Sequence, residues 1–440
     1  MKKLFINGIL LFASALTVSA QSGTNSPYSQ YGLGILSEQS QGFNRGMNGL
    51  GLGFRYGNQV NTLNPASYSA ADSLTMIFDV GLSGQITNFK EGNTKVNAKN
   101  ADFEYAVAMF RAMPSLGISF GIVPFTNVGY SYSRTDVASS SLYSIETHSG
   151  NGGLREVYVG AGWEPVKGFS VGVNAGYLWG NTERSITNTT NQSAANTLSR
   201  IYSTSVNTYK LDFGAQYQQA LGKKDVLTIG ATFGLGHKMG GEAQLINTNT
   251  DTQNSVMTSD TATIDDAFKL PMTLGLGFAW CHNKTLTVGA DYSFQRWSNI
   301  DYPKYENNKY QLVSGLLNNR HKMTVGLDWI PSASNWTSLS LKNLLTHTHY
   351  RFGASYATPY YKVNGQDGPK ELSVSAGMGI PLVNKWGNRS VLNISVQWAR
   401  QSATNLITEN TFRINLGITF NEKWFAKWKE TRMKWHQALG

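Results

Sequence analysis

Beyond its first twenty residues, this 440-residue chain has no apolar run of the ~20 residues that a membrane helix needs. It has one cysteine, Cys281, which excludes an internal disulfide and any dithiol or cysteine-based zinc motif. Only 15% of residues are charged, and the net charge of +10 comes from lysines and arginines scattered along the chain. No basic stripe forms, so nucleic acid is not an expected partner. No Gly-x-Ser-x-Gly elbow is present for a hydrolase nucleophile. Gly49-x-Gly51-x-Gly53 is not a nucleotide loop, because no helix pattern follows it. His347-x-His349-x-Arg351 puts two histidines on one strand face, but no third metal ligand is evident. The chain is expected to be no enzyme and to need neither metal nor cofactor.

What is abundant is glycine (45), tyrosine (21), phenylalanine (20) and tryptophan (11). Apolar residues recur at every second position in segment after segment. Examples are Leu227-x-Ile229-x-Ala231-x-Phe233-x-Leu235, Leu286-x-Val288-x-Ala290-x-Tyr292-x-Phe294 and Phe412-x-Ile414-x-Leu416-x-Ile418-x-Phe420. Their partners are small or polar. Side chains alternate faces along a strand, so each segment has one greasy face and one polar face over ~9–11 residues. That is the length of a tilted membrane-spanning strand. Tryptophans gather at segment ends (Trp163, Trp179, Trp280, Trp297, Trp329, Trp398), as in an interfacial girdle. The fold class predicted is all-β: a transmembrane antiparallel β-barrel of about 14 strands with an N-terminal plug in its lumen.

Four regions follow. Residues 1–20 carry Lys2-Lys3, an apolar core and Val18-Ser19-Ala20, and read as a signal peptide cleaved before Gln21. Loss of Lys2 and Lys3 would take the charge from +10 to +8. Residues 21–72, glycine-rich and irregular, read as the plug, and 73–420 as the barrel. Residues 421–440 mix Trp424, Phe425, Trp428 and Trp435 with lysines. They read as an amphipathic periplasmic tail or, equally, as a partly ordered basic one. Polar stretches at 135–151, 185–200, 241–266 and 299–319 read as long outer loops, while 331–346 is a long connection on the inner side. The outer membrane is the expected location, with barrel-assembly machinery needed for insertion and a monomer as the expected state.

The residues resemble one family, the outer-membrane long-chain fatty-acid transporters (FadL-like) and their aromatic-hydrocarbon relatives. The likeness rests on Gly42-Phe43-Asn44-Arg45-Gly46-Met47-Asn48-Gly49 and Asn64-Pro65-Ala66 in the plug. It continues in Leu270-Pro271 with Ala290-Asp291-Tyr292 and Trp297, and in Val325–Trp329 and Arg351–Tyr356. Two features differ. Ser26-Pro27-Tyr28-Ser29-Gln30-Tyr31-Gly32-Leu33-Gly34 replaces the usual plug terminus, and the barrel does not end on a C-terminal aromatic. The resemblance implies passive passage of a hydrophobic molecule, fatty acids first. The ligand would pass from the outer loops to a plug pocket and leave through a gap at strand three. The alternative is the same barrel as a structural or partner-docking protein without transport; a general porin is third.

Expected ligand contacts are Leu33, Ile35, Phe43, Phe54 and Tyr56, with Arg45 or Arg55 for a carboxylate. Those arginines could instead pair with wall acids such as Asp79 or Asp291. Gly49, Gly51 and Gly53 permit close packing, and Asn64, Pro65 and Ala66 set the turn into the barrel. Pro124, between Gly121 and Gly129, lacks the N–H a ladder needs and predicts a break there. The family kinks strand three at that place; the residues alone also fit an ordinary bulge. Membrane lipids and a hydrophobic small molecule are the expected partners.

Overall fold

The computed structural model describes residues 23–73, 75–139, 142–192, 194–334, 340–383 and 389–422. The predicted leader and nearly all of the tail lie outside them. Fourteen antiparallel strands close into one barrel. They are β1 (Met76–Glu91), β2 (Thr94–Met113), β3 (Leu116–Ser139), β4 (Leu142–Val166), β5 (Phe169–Thr190) and β6 (Thr197–Ala220). Next come β7 (Asp225–Gly234, continued by Gly240–Asp251) and β8 (Val256–Asp265, continued by Met272–His282). The rest are β9 (Leu286–Arg296), β10 (Arg320–Trp329), β11 (His349–Ala357), β12 (Lys370–Val383), β13 (Arg389–Ser402) and β14 (Thr408–Glu422). Pairing of β1 with β14, from Met76↔Glu422 to Lys90↔Thr408, shuts the sheet.

The outward face carries the apolar half of each alternation. Val159, Leu276 and Met323 are each about 60% exposed, as they must be if lipid covers them. The strand count agrees with the alternation, including at the long inner connection, which holds a short helix, α1 (Leu341–His347). The outer loops differ from expectation. Residues 135–151, 185–200 and 241–266 are mostly strand among the described residues. β3 and β4 run 24 and 25 residues, well beyond the belt. Polar residues on both faces there signal strands standing in water, not loops. The 299–319 stretch contains its own hairpin, Tyr302–Glu306 with Lys309–Val313.

Residues 23–71 fill the lumen. Two short 3-10 turns, Pro27–Gln30 and Pro65–Ala70, and one helical turn, Gly42–Arg45, are their only helical elements. Asn64 caps the second turn, its Oδ1 accepting from the Ala66 N–H at 3.1 Å and its Nδ2 donating to the Leu52 and Ala215 carbonyls. Inward glycines let plug backbone touch wall backbone. At Gly117 an added Cβ would overlap the Tyr68 carbonyl oxygen, and neither group is a flexible side-chain end. Gly117→Ala should therefore displace the Pro65–Ala70 turn and lower the thermal midpoint in detergent by several degrees, a cost of roughly 1–3 kcal/mol. An unchanged midpoint would show the turn to be loosely held.

Candidate functional site

The wall is not uniformly sealed. β2 and β3 pair from Met113↔Leu116 only as far as Ala106↔Ile122. Above that level the two strands part. Pro124 lies at the parting, and a register shift between Pro124 and Thr126 marks a bulge against β4. Gly121 is in the paired half, packed on Ala106 and Val107. Gly129 is in the unpaired half, where its N–H donates to Ser29 Oγ at 3.1 Å. The plug's first residues occupy the seam. Ile35 and Leu36 pair with Asn127 and Thr126 as a two-residue strand. Asn25 Nδ2 donates to the Lys99 carbonyl on β2 at 3.2 Å. Each open edge is thus partly covered by plug, which blunts the hazard of a bare strand edge.

Behind the seam is a chamber of about 340 Å³, bounded by Gly23, Thr24 and Ile35–Gln39 of the plug, with Leu52 and Leu63 below. Its wall is charged. Lys210 Nζ stands 3.1 Å from Glu156 Oε2 and also bonds Asp212. Lys322 Nζ stands 3.1 Å from Glu38 Oε2. Arg413 donates from Nε and Nη2 to Gln85 Oε1, at 2.9 and 2.7 Å. Arg413 and Arg320 both line the chamber, and neither makes an ion pair among the described residues. Asp102, Glu371 and Glu409 complete the acidic side.

Burial alone would raise the Glu38 carboxyl, but the cations of Lys322, Arg45 and Arg320 outweigh it and hold it below the ordinary glutamate value. A depressed carboxyl stabilises the fold above its unfolded value and stops doing so as pH falls through its folded value. As pH falls below the ordinary glutamate range this part of the plug should therefore loosen, and Glu38→Gln should remove that pH dependence. Protease cutting of the plug against pH would check it; an identical pH profile in the variant would refute it.

An apolar lid closes the chamber outside. Trp297, Phe268, Leu270, Leu317, Tyr360 and Tyr361 pack on Tyr28, Tyr31 and Leu33 of the plug. Trp297 and Tyr360 rings are 4.5 Å apart. Gly32 and Gly34 have φ of 54° and 103°, which other residues rarely adopt. Their carbonyls accept from Tyr302, Arg184 and Tyr360. The Ser26–Gly34 stretch is thus what fastens the outer loops to the plug. Sequence reasoning noted it as unusual and gave it one role, Leu33 as a ligand contact; its density of tyrosine and glycine was the available signal for the rest.

The predicted contacts are dispersed. Leu33 is in the lid and Ile35 borders the chamber. Phe43 and Phe54 are fully buried with Met47 and Leu50, and Tyr56 packs beside them. Arg45 binds Glu104 at 2.9 Å, and Arg55 binds Glu164 and Ser170. Both arginines therefore have wall acids, though not those expected. Asp79 accepts from Tyr105 and Thr419. Asp291 Oδ2 accepts from the N–H groups of Gly51 and Leu52 at 2.7 and 2.9 Å, which clamps the glycine run. Gly49 takes φ of 83°, and Gly53 abuts the Phe278–Ala279 backbone. His349 and Arg351 both face Asp328, at 2.9 and 3.4 Å. His347 ends α1 and is off that strand face. Among the described residues no cluster fit to hold a metal is present.

A family model described as BamG matches residues 1–430. The chain belongs to the BamG family. No curated protein matches its sequence. Solved structures similar to this BamG-family barrel include the toluene transporter TodX of Pseudomonas putida, 14% identical with a TM-score of 0.61, covering 88% of this chain and 99% of that one. The toluene transporter TbuX of Ralstonia pickettii is 15% identical with a TM-score of 0.58, covering 87% and 98%. A FadL homologue of Pseudomonas aeruginosa is 12% identical with a TM-score of 0.57, covering 88% and 99%. At these identities the likeness establishes the shared fold.

Proposed function

We propose that this outer-membrane barrel passes amphiphilic molecules, long-chain fatty acids or similar, sideways between its chamber and the membrane. The observation that carries the reading is the β2–β3 ladder ending at Ala106↔Ile122, with the chamber directly behind the parted strands. An acyl chain would lie in the seam once plug residues 23–36 withdraw, and a negative head would meet Arg320 and Arg413. A bare hydrocarbon fits less well. It would strip water from charged groups at several kcal/mol per ion, without replacing the lost hydrogen bonds. The neighbours named as toluene transporters share the fold, and this lining points to a different cargo from theirs.

A second reading is a structural barrel that docks a partner and transports nothing. The closed state favours it: an apolar lid outside, and a plug tied to the wall through Arg45, Arg55, Glu38 and Asp291. Mass spectrometry of molecules retained by the protein from its own membrane separates the two. An anionic amphiphile held by the intact protein and absent from Arg320→Gln/Arg413→Gln supports passage. No retained amphiphile, with a protein copurifying in fixed ratio, supports docking.

A further inference from the structure

We infer that the connection between β10 and β11 is a membrane foot: α1 lies in the headgroup region of the inner leaflet, with Leu341 and Leu345 in lipid. Other described inner connections are tight, such as Met113–Leu116 and Val166–Phe169. This one spans residues 330–348 and has no aspartate or glutamate, one lysine and several leucines. Ser340 caps the helix, its Oγ accepting from the Asn343 N–H at 3.2 Å. Thr346 and Thr348 bond back to helical carbonyls, and the Ser332 N–H reaches the Thr346 carbonyl at 2.8 Å. The turn is therefore built.

Among the described residues nothing covers its apolar face. Leu341 and Leu345, one turn apart and so on one side, are 74% and 45% exposed. Its height is set by the lipid-facing belt. Asp328 and Arg351 point inward, so Trp329 and Tyr350 point out, with their rings 5.7 Å apart. Such a pair marks the membrane–water boundary. The Tyr350 hydroxyl donates to the Leu345 carbonyl at 3.2 Å, fastening the helix to that boundary. Leu341 and Leu345 thus continue the belt inward from its aromatic edge. Lys342, exposed beside them, can reach lipid phosphate while its stem lies along the apolar surface. A leucine face next to aromatics, with a lysine and no acid, is the composition of a segment lying in a bilayer surface.

The test labels Leu341→Cys and, separately, Leu345→Cys with a small fluorophore in full-length Cys281→Ala protein. Lys309→Cys, exposed on an outer hairpin, is the water-facing control. In phosphatidylcholine nanodiscs, a nitroxide carried just below the lipid headgroup should quench both helix labels several-fold more than the control. Iodide in the buffer should quench them several-fold less. Iodide quenching equal to the control at both sites, with no effect of the lipid nitroxide, would overturn the inference. So would shielding seen in native membrane fragments but not in pure-lipid discs, which would assign the face to a protein partner.

Discussion

Locking plug residue 36 to wall residue 126 should abolish passage of a labelled long-chain amphiphile, reducing it to the rate of vesicles without protein. Leu36 and Thr126 are directly opposed across the seam. The Ser37 N–H donates to the Phe125 carbonyl at 3.0 Å. That makes the neighbouring pair the hydrogen-bonded one and leaves 36 and 126 in the close position, with Cα atoms about 4.5 Å apart. A disulfide tolerates that spacing. Leu36→Cys/Thr126→Cys in a Cys281→Ala background should oxidise readily, lose uptake, and regain it with dithiothreitol. Each single cysteine variant should behave as the parent. Undiminished uptake with the bond formed would rule out the seam as the route.

Arg45→Ala should free the plug while leaving the barrel folded. The Arg45 side chain is 4% exposed and binds Glu104 at 2.9 Å. It also donates to the Ser40 and Glu38 carbonyls and to Asn415. Breaking such a pair leaves a buried carboxylate uncompensated, at about 3–5 kcal/mol. The expected result is protease cutting within residues 23–71, a lower thermal midpoint, and protected strands. Arg45→Lys should recover only part, since an ammonium cannot reproduce the guanidinium fork. Adding Glu104→Gln to Arg45→Ala should restore some stability by removing the orphaned charge. Equal stability of Arg45→Ala and the parent would place the plug's anchorage elsewhere.

The barrel was legible because its physics is periodic. Lipid outside and polar surface inside force alternation on every strand, and Phe412–Phe420 displays it without help from the rest of the chain. Pro124 was legible because a missing N–H cannot be hidden in a ladder. Where strands leave the membrane, water covers both faces, the alternation fades, and 135–151 or 241–266 looks like loop. The breaks in β7 and β8 had no clear marker beyond Leu270-Pro271. The chamber was not legible at all. Glu156, Lys210, Lys322 and Arg413 come from strands far apart in sequence, and only closure of the sheet assembles them. Of the ligand contacts expected in the plug, Leu33, Ile35, Phe43, Phe54 and Tyr56 were chosen for their apolar bodies and Arg45 or Arg55 for charge. Apolar residues there, such as Phe43 and Phe54, pack the plug against the wall.

The plug's anchors have a consequence for how the molecule is made. Arg45 reaches Asn415 and Ser26 reaches Glu409, across 370 and 383 positions of chain. Gly42 packs on Asn393 and Gly417 of β13 and β14. Early residues of the chain are therefore held by residues made much later. Such distant pairings form late and slowly. A chain stopped before β13 would keep the plug's contacts with Glu104, Glu164 and Asp291 but lack those with Asn393, Glu409 and Asn415, beside an unclosed sheet. The plug's full set of contacts therefore waits for the same strands that seal the sheet onto β1. Whatever completes the sheet also completes the plug's anchorage.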